Sequence, residues 1–141
     1  MKKITAAFIC VLLLFLAACA NDADAPGNID KCKVTYGTSA LYSEDELQNA
    51  VDLIQGQFTE LRGCVLHSLT YAGDERCEQE FASRNASDAE EKLTAVIVFD
   101  SSFRSPKKAR DAWNADEEYT WSWYVGQTAD GSWKLVGYGY A

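Results

Sequence analysis

The sequence predicts an α+β fold: an N-terminal amphipathic helix packed in a curved antiparallel sheet of about four strands, cone-like in outline, behind a leader that is cleaved. Three observations predict it. Leu47, Ala50, Val51, Ile54, Phe58 and Leu61 recur at helical spacing. Residues 93–100 are apolar on both parities, as a central strand covered on both faces must be. Residues 119–141 read as an aromatic hairpin turning at Asp130-Gly131.

The leader comes first. Met1, Lys2 and Lys3 precede an apolar run over residues 4–20, short of the roughly 20 apolar residues that a membrane span needs. The run closes in Leu16-Ala17-Ala18-Cys19, which resembles the lipobox of bacterial lipoproteins. The resemblance implies a signal peptide over residues 1–18 and lipidation of Cys19, with acyl chains of the palmitate kind. The product would be extracytoplasmic and lipid-anchored to the cell membrane. Two acyl chains hold a protein stably at a bilayer, at roughly 0.8 kcal/mol per buried methylene. Cleavage after Ala20 and an uncleaved anchor are the alternatives.

Removing residues 1–18 leaves 123 of 141 residues, enough for one modest core, so 32–141 is expected to form a single α+β domain. Loss of Lys2 and Lys3 takes the formal charge from -8 to -10, which argues against a nucleic-acid partner. Residues 19–31 hold three aspartates, Pro26 and Gly27 and little that is apolar, and read as a flexible tether. Fully extended, the ten residues 21–30 reach roughly 35 Å at ~3.3–3.6 Å per residue.

Ser43 and Glu46 form a capping box that starts the helix over 43–62, with Tyr42 and Leu47 as a hydrophobic staple, and Gly63 ends it. Residues 64–71 read as a strand with Val65, His67, Leu69 and Tyr71 on one face, and 74–85 as a short helix with Cys77 and Phe81 inward. Leu93, Ala95, Ile97 and Phe99 oppose Val96 and Val98 in the central strand. Ser105-Pro106 predicts a short helix over 106–113. A type I′ turn at Asp130-Gly131 sets Val125 against Val136, Trp123 against Tyr138 and Trp121 against Tyr140, with Gly137 and Gly139 facing Tyr124 and Ser122. The glycines let the sheet bend, and the helix fills its concavity.

Cys10 and Cys19 lie in the leader and at its cleavage site, leaving Cys32, Cys64 and Cys77, so at most one internal disulfide forms. Cys64 with Cys77 is the preferred pair. The alternative is three reduced thiols, two of them acting as small core hydrophobes. With no Cys-x-x-Cys spacing and one histidine, no metal or other cofactor is expected.

The helix start Tyr42-Ser43-Glu44-Asp45-Glu46, Gly63-Cys64-x-Leu66, the run from Val96 to Phe103, Trp121-x-Trp123 and Gly131-x-Trp133-Lys134-Leu135 together resemble a domain-of-unknown-function family of small Gram-positive lipoproteins. The likeness covers residues 41–140 and brings no assigned activity. Its element order is similar to the cone fold of nuclear transport factors and ketosteroid isomerases. That likeness implies an enzyme alternative in which His67 is the base, paired with Asp100 for proton transfer as in a ketosteroid isomerase or dehydratase. A lone histidine is more often a rim or core residue.

Most of the tryptophans and tyrosines of the hairpin are accounted for as core. Trp133 and Tyr124, on the other parity, remain as a ligand platform able to stack on flat apolar surfaces. Arg104, Lys107, Lys108 and Arg110 form a basic run expected to be a solvated helix face, with contact to anionic lipid or wall polymers as the alternative. The leading expectation is a non-catalytic domain that binds a small ligand or an envelope protein.

Overall fold

A computed structural model describes residues 22–86, 90–110 and 112–141. The leader and the lipidation residue Cys19 lie outside the described residues. The fold is α+β, with two helices and a five-stranded mixed sheet that does not close on itself. The elements are β1 (Lys33–Thr35), α1 (Glu44–Phe58), β2 (Val65–Tyr71), α2 (Asp74–Ala86), β3 (Ala95–Arg104), β4 (Glu118–Gln127) and β5 (Trp133–Tyr140). The spatial order of the strands is their order in the chain.

Helix α1 begins where the sequence places it. Ser43 Oγ accepts from the Glu46 amide at 3.2 Å and the Glu46 carboxylate accepts from the Ser43 amide at 2.9 Å, so two amides that would otherwise be orphaned are satisfied. Its buried residues are Leu47, Ala50, Val51, Ile54 and Phe58. They lie on the sheet face made by Ile97, Phe99, Ser101 and Phe103 of β3 and by Trp121, Trp123 and Val125 of β4. Phe58 meets Phe103 edge-on with ring centroids 5.5 Å apart, and Trp123 at 6.3 Å. Both indicate a dry, interdigitated interface.

Strand β3 is the middle of five, and Val96, Ile97, Val98 and Phe99 are fully buried on both parities. It outruns β2, and its exposed edge there is satisfied by other elements. Ala72 N donates to the Val98 carbonyl at 2.9 Å, Cys77 Sγ of α2 accepts from Val98 N at 3.3 Å, and the Tyr42 hydroxyl donates to the Val96 carbonyl at 2.8 Å. Helix α2 then reaches the face opposite α1, where the Arg84 guanidinium lies 4.5 Å from the centroid of the Tyr124 ring.

Four expectations are corrected. A fifth strand, β1, pairs in parallel with β2 from Lys33↔Ser68 to Thr35↔Thr70, so the sheet is mixed. The parallel sense follows from α1 acting as the crossover between them. Residues 22–31 are not a free tether. The Gly27 amide donates to Thr59 O at 2.9 Å, Asn28 N to Cys64 O at 2.8 Å, Leu66 N to Asn28 O at 2.8 Å and Gly63 N to Ala25 O at 2.8 Å. Polar composition hid this docking because the contacts are made by backbone. Among the described residues of 106–113 no helix forms, and Arg110 and Trp113 instead make an isolated bridge. The β4–β5 turn is not type I′, which needs two positive φ angles; only Gly131 has one, at 85°, and Thr128 N bonds Ser132 O across a three-residue loop.

The longer loop is compensated by a bulge between Tyr124 and Val125. Trp121↔Tyr140, Trp123↔Tyr138, Ser122↔Gly139 and Tyr124↔Gly137 pair as the sequence predicts, whereas Val125 faces Leu135 and Gln127 faces Trp133. One residue of slip inverts the side chains near the turn.

Candidate functional site

The proton-transfer dyad is not assembled. A bulge between Leu66 and Ser68 inserts His67 as the unpaired residue of β2, turning Leu66, Leu69 and Tyr71 into the core and His67 out to solvent. His67 Nε2 lies 3.2 Å from Glu118 Oε1, which Arg104 Nε also contacts at 2.8 Å. Asp100 pairs with Thr70 and accepts from the Ser122 hydroxyl at 2.6 Å. His67 and Thr70, the partner of Asp100, are three residues apart along β2, roughly 10 Å at ~3.3 Å per residue. Surface clefts of about 220 Å³ around Pro26, Gly63, Arg104 and Lys107, about 480 Å³ around Tyr36, Tyr42 and Gln48, and about 240 Å³ around Leu41, Phe81 and Thr94 have neither His67 nor Asp100 in their walls.

The preferred disulfide is also not formed. Cys32, Cys64 and Cys77 are free, and Cys64 and Cys77 stand beyond opposite ends of the seven-residue β2. That strand holds them about 20 Å apart at ~3.3 Å per residue, against the roughly 4.4–6.8 Å that a bridge allows between Cα atoms. Burial pushes the Cys64 thiol up to about 11 and raises those of Cys77 and Cys32. Thiols held protonated are poor nucleophiles and poor ligands. Among the described residues no group of three or more His, Cys, Asp or Glu could hold a metal ion.

The paired platform of Trp133 and Tyr124 is split between the two faces of the sheet. The slip at the β4–β5 bulge brings Trp133 opposite Gln127, on the α1 face, where its ring meets Tyr42 edge-on at 6.0 Å. Tyr124 stays on the other face under Arg84.

An aromatic surface does form, further along β5. Trp121 stacks on Tyr138 with centroids 5.2 Å apart and planes 22° from parallel, and Trp113, Tyr119 and Tyr140 continue the cluster toward the chain end. Trp121 is nearly buried, but Tyr138 is 44% and Tyr140 76% exposed. These tyrosines border an open sheet edge, because among the described residues β5 is the last strand and pairs only with β4. It is eight residues long, contains no proline, and bears a single charge, Lys134, which pairs with Glu91. Edge strands of this kind present a row of free main-chain groups to any second strand. The hairpin ladder was legible in the sequence. Its exposure was not, because that depends on the hairpin forming the sheet's edge.

A second cluster orders the approach to α1. Asp74 accepts from Ser39 Oγ at 2.6 Å, from the Tyr71 hydroxyl at 2.7 Å and from the Ala40 amide at 2.8 Å. The Ser39 bond first, then that from Tyr71, holds the carboxyl below its ordinary value. Burial raises Tyr71, and pushes Tyr42 up to about 12. These bonds tie the Ser39–Ala40 segment to the start of α2, so the group is a structural clasp.

Comparison with protein-family models, with curated proteins and with solved structures finds no match to this chain. The described residues define the class: an α+β domain with a filled apolar core and one open, aromatic-lined sheet edge. Among them no helix is long and apolar enough to cross a membrane.

Proposed function

We propose that this chain is a lipid-anchored extracytoplasmic protein that works by binding, and that its partner is an extended segment of an envelope protein added as a sixth strand along β5. The observation that carries the binding reading is the open edge of β5 with Tyr138 and Tyr140 exposed beside it. Main-chain hydrogen bonds would supply affinity, and the aromatic side chains the specificity. The lipid anchor at Cys19 is supported by the Leu16-Ala17-Ala18-Cys19 motif behind a basic and apolar leader. Membership of the family of small Gram-positive lipoproteins belongs to the same reading. So does the cone-like outline, which is supported by α1 lying across β3, β4 and β5 on one face.

The core favours binding over catalysis. Trp123, Phe58, Phe99 and Phe103 fill the space that a cone-fold enzyme keeps open for substrate. A photo-crosslinking phenylalanine analogue in place of Tyr138 should give a discrete adduct in intact cells, and the same analogue at Gln79 on α2 should not. Equal adducts, or none at position 138, reject the edge as the binding surface. Clickable palmitate should label the wild type and not Cys19→Ala.

A further inference from the structure

The docked N-terminal segment has a consequence for how the domain meets the bilayer, and it rests on the lipid-anchor reading above. Two residues, Ala20 and Asn21, lie between Cys19 and Asp22, so over these three steps the Cα atoms of Cys19 and Asp22 are at most about 11 Å apart at ~3.3–3.6 Å per residue, whatever path the intervening chain takes. From Asp22 onward the chain is held to one end of the sheet. Arg62 Nη1 donates to Asp24 O at 2.9 Å, Arg110 Nη1 donates to Ala23 O at 2.6 Å and pairs with the Asp24 carboxylate, and Gly63 N donates to Ala25 O. A side chain at Gly63 would meet Ala23 Cα and Pro106 Cγ, each at 2.8 Å, and Gly63 has φ +74°, so glycine is needed there on both counts. The anchor leaves the domain at this end and is short.

We propose that this end of the domain, built from residues 22–26, the β3–β4 connection and the C-terminal end of β5, lies against the phospholipid headgroups, with β5 rising from the membrane surface toward its opposite end. Two further observations fit. Lys107 and Lys108 of the β3–β4 connection are exposed and take part in no ion pair among the described residues. Four carboxylates at this end are engaged by other groups, Asp24 by Arg110, Asp116 and Glu118 by Arg104, and Glu117 by Asn114. At the same end of the sheet stand the partly exposed rings of Trp113 and Tyr119 and the exposed ring of Tyr140, linked at 4.9 and 6.5 Å. Trp, Tyr and Lys are the side chains that settle at a membrane–water interface, ring in the headgroup layer and ammonium among phosphates.

The far end is of opposite character. The start of α1 presents Glu44, Asp45 and Glu46 and the β4–β5 turn presents Asp130, while Glu91 is paired with Lys134 of β5. An anionic bilayer repels that end and favours the other.

The full-length lipidated protein, in vesicles of phosphatidylcholine and phosphatidylglycerol carrying nitroxide-labelled lipid, tests the orientation. An environment-sensitive fluorophore is attached at Lys108→Cys or, in a second protein, at Ala129→Cys, both in a Cys32→Ser background. The expected result is quenching several-fold stronger at position 108 than at 129. Inserting a ten-residue glycine-serine linker between Ala20 and Asn21 should abolish that difference while leaving palmitate labelling intact. Equal quenching at the two positions, or stronger quenching at 129, in protein shown to be lipidated overturns the orientation alone. Absence of lipid on the protein overturns the orientation and the anchor reading together.

Discussion

Trp123 Nε1 donates to Ser101 Oγ at 2.8 Å, and Ser101 Oγ in turn donates to the Trp121 carbonyl at 3.1 Å, all three inside the apolar face that α1 covers. The serine is one of the few buried polar groups among the described residues, and its position directly across from Trp121 in the ladder makes it a relay between two strands. Two tryptophans two residues apart are therefore unequal. Trp123 has its indole N–H satisfied, whereas Trp121 Nε1 is buried with no acceptor among the described residues. Trp123→Phe should destabilise more than Trp121→Phe, because it loses a made hydrogen bond, worth about 1–2 kcal/mol, and leaves Ser101 Oγ with its donation to the Trp121 carbonyl alone. Urea denaturation of both variants measures the difference, and Ser101→Ala should cost the wild type more than it costs Trp123→Phe, by the bond from Trp123.

Gly27 tests the docked segment. A Cβ there would sit 2.2 Å from the Phe58 carbonyl oxygen and 3.0 Å from the Phe58 ring, so Gly27→Ala forces residues 22–28 away from the end of α1. The expected cost is about 1–3 kcal/mol, in the range of an overpacked contact. Limited proteolysis should then cleave within residues 22–31 of the variant while the wild type resists. Equal resistance in both proteins would mean that the segment contributes nothing to the fold.

Asp74 makes acid stability depend on the clasp at Ser39. Hydrogen bonds from Ser39 and Tyr71 hold its folded pKa below the ordinary aspartate value of about 3.9, so its contribution is fully present above that value and is lost as pH falls through the folded one. Asp74→Asn should lower the midpoint of thermal unfolding at pH 7, with the difference from wild type shrinking below about pH 4. A constant difference across that range would show that ionisation of Asp74 plays no part.

What the sequence disclosed and what it hid follow from the range of the interaction. The capping box of Ser43 and Glu46 is complete within one turn of chain, and β3 announces itself by being apolar on both parities, so both were readable locally. Strand β1 is three residues long, polar at Lys33 and Thr35, and made a strand only by its partner β2. The bulges at His67 and near Val136 leave no mark in composition, yet each shifts parity by one residue. That single-residue shift is why His67 left the core face and why Trp133 turned away from Tyr124.

The free thiols give a chemical check on the whole arrangement. Cys77 is fully buried, with its sulfur accepting from Val98 N and set 3.5 Å from the Tyr71 hydroxyl, and Cys64 is buried at the entry to β2. Burial favours the protonated form of both thiols, and of the three described cysteines only Cys32 is partly open to solvent. A thiol reagent added to the native 32–141 region of the full protein should therefore react with Cys32 alone on a short timescale, and Cys64 and Cys77 should react only as fast as the domain opens. In denaturant without reductant all three should titrate as thiols. Finding one thiol instead of three under those conditions would mean that a disulfide forms, and would require either Cys64 and Cys77 to stand far closer than β2 holds them or Cys32 to take part.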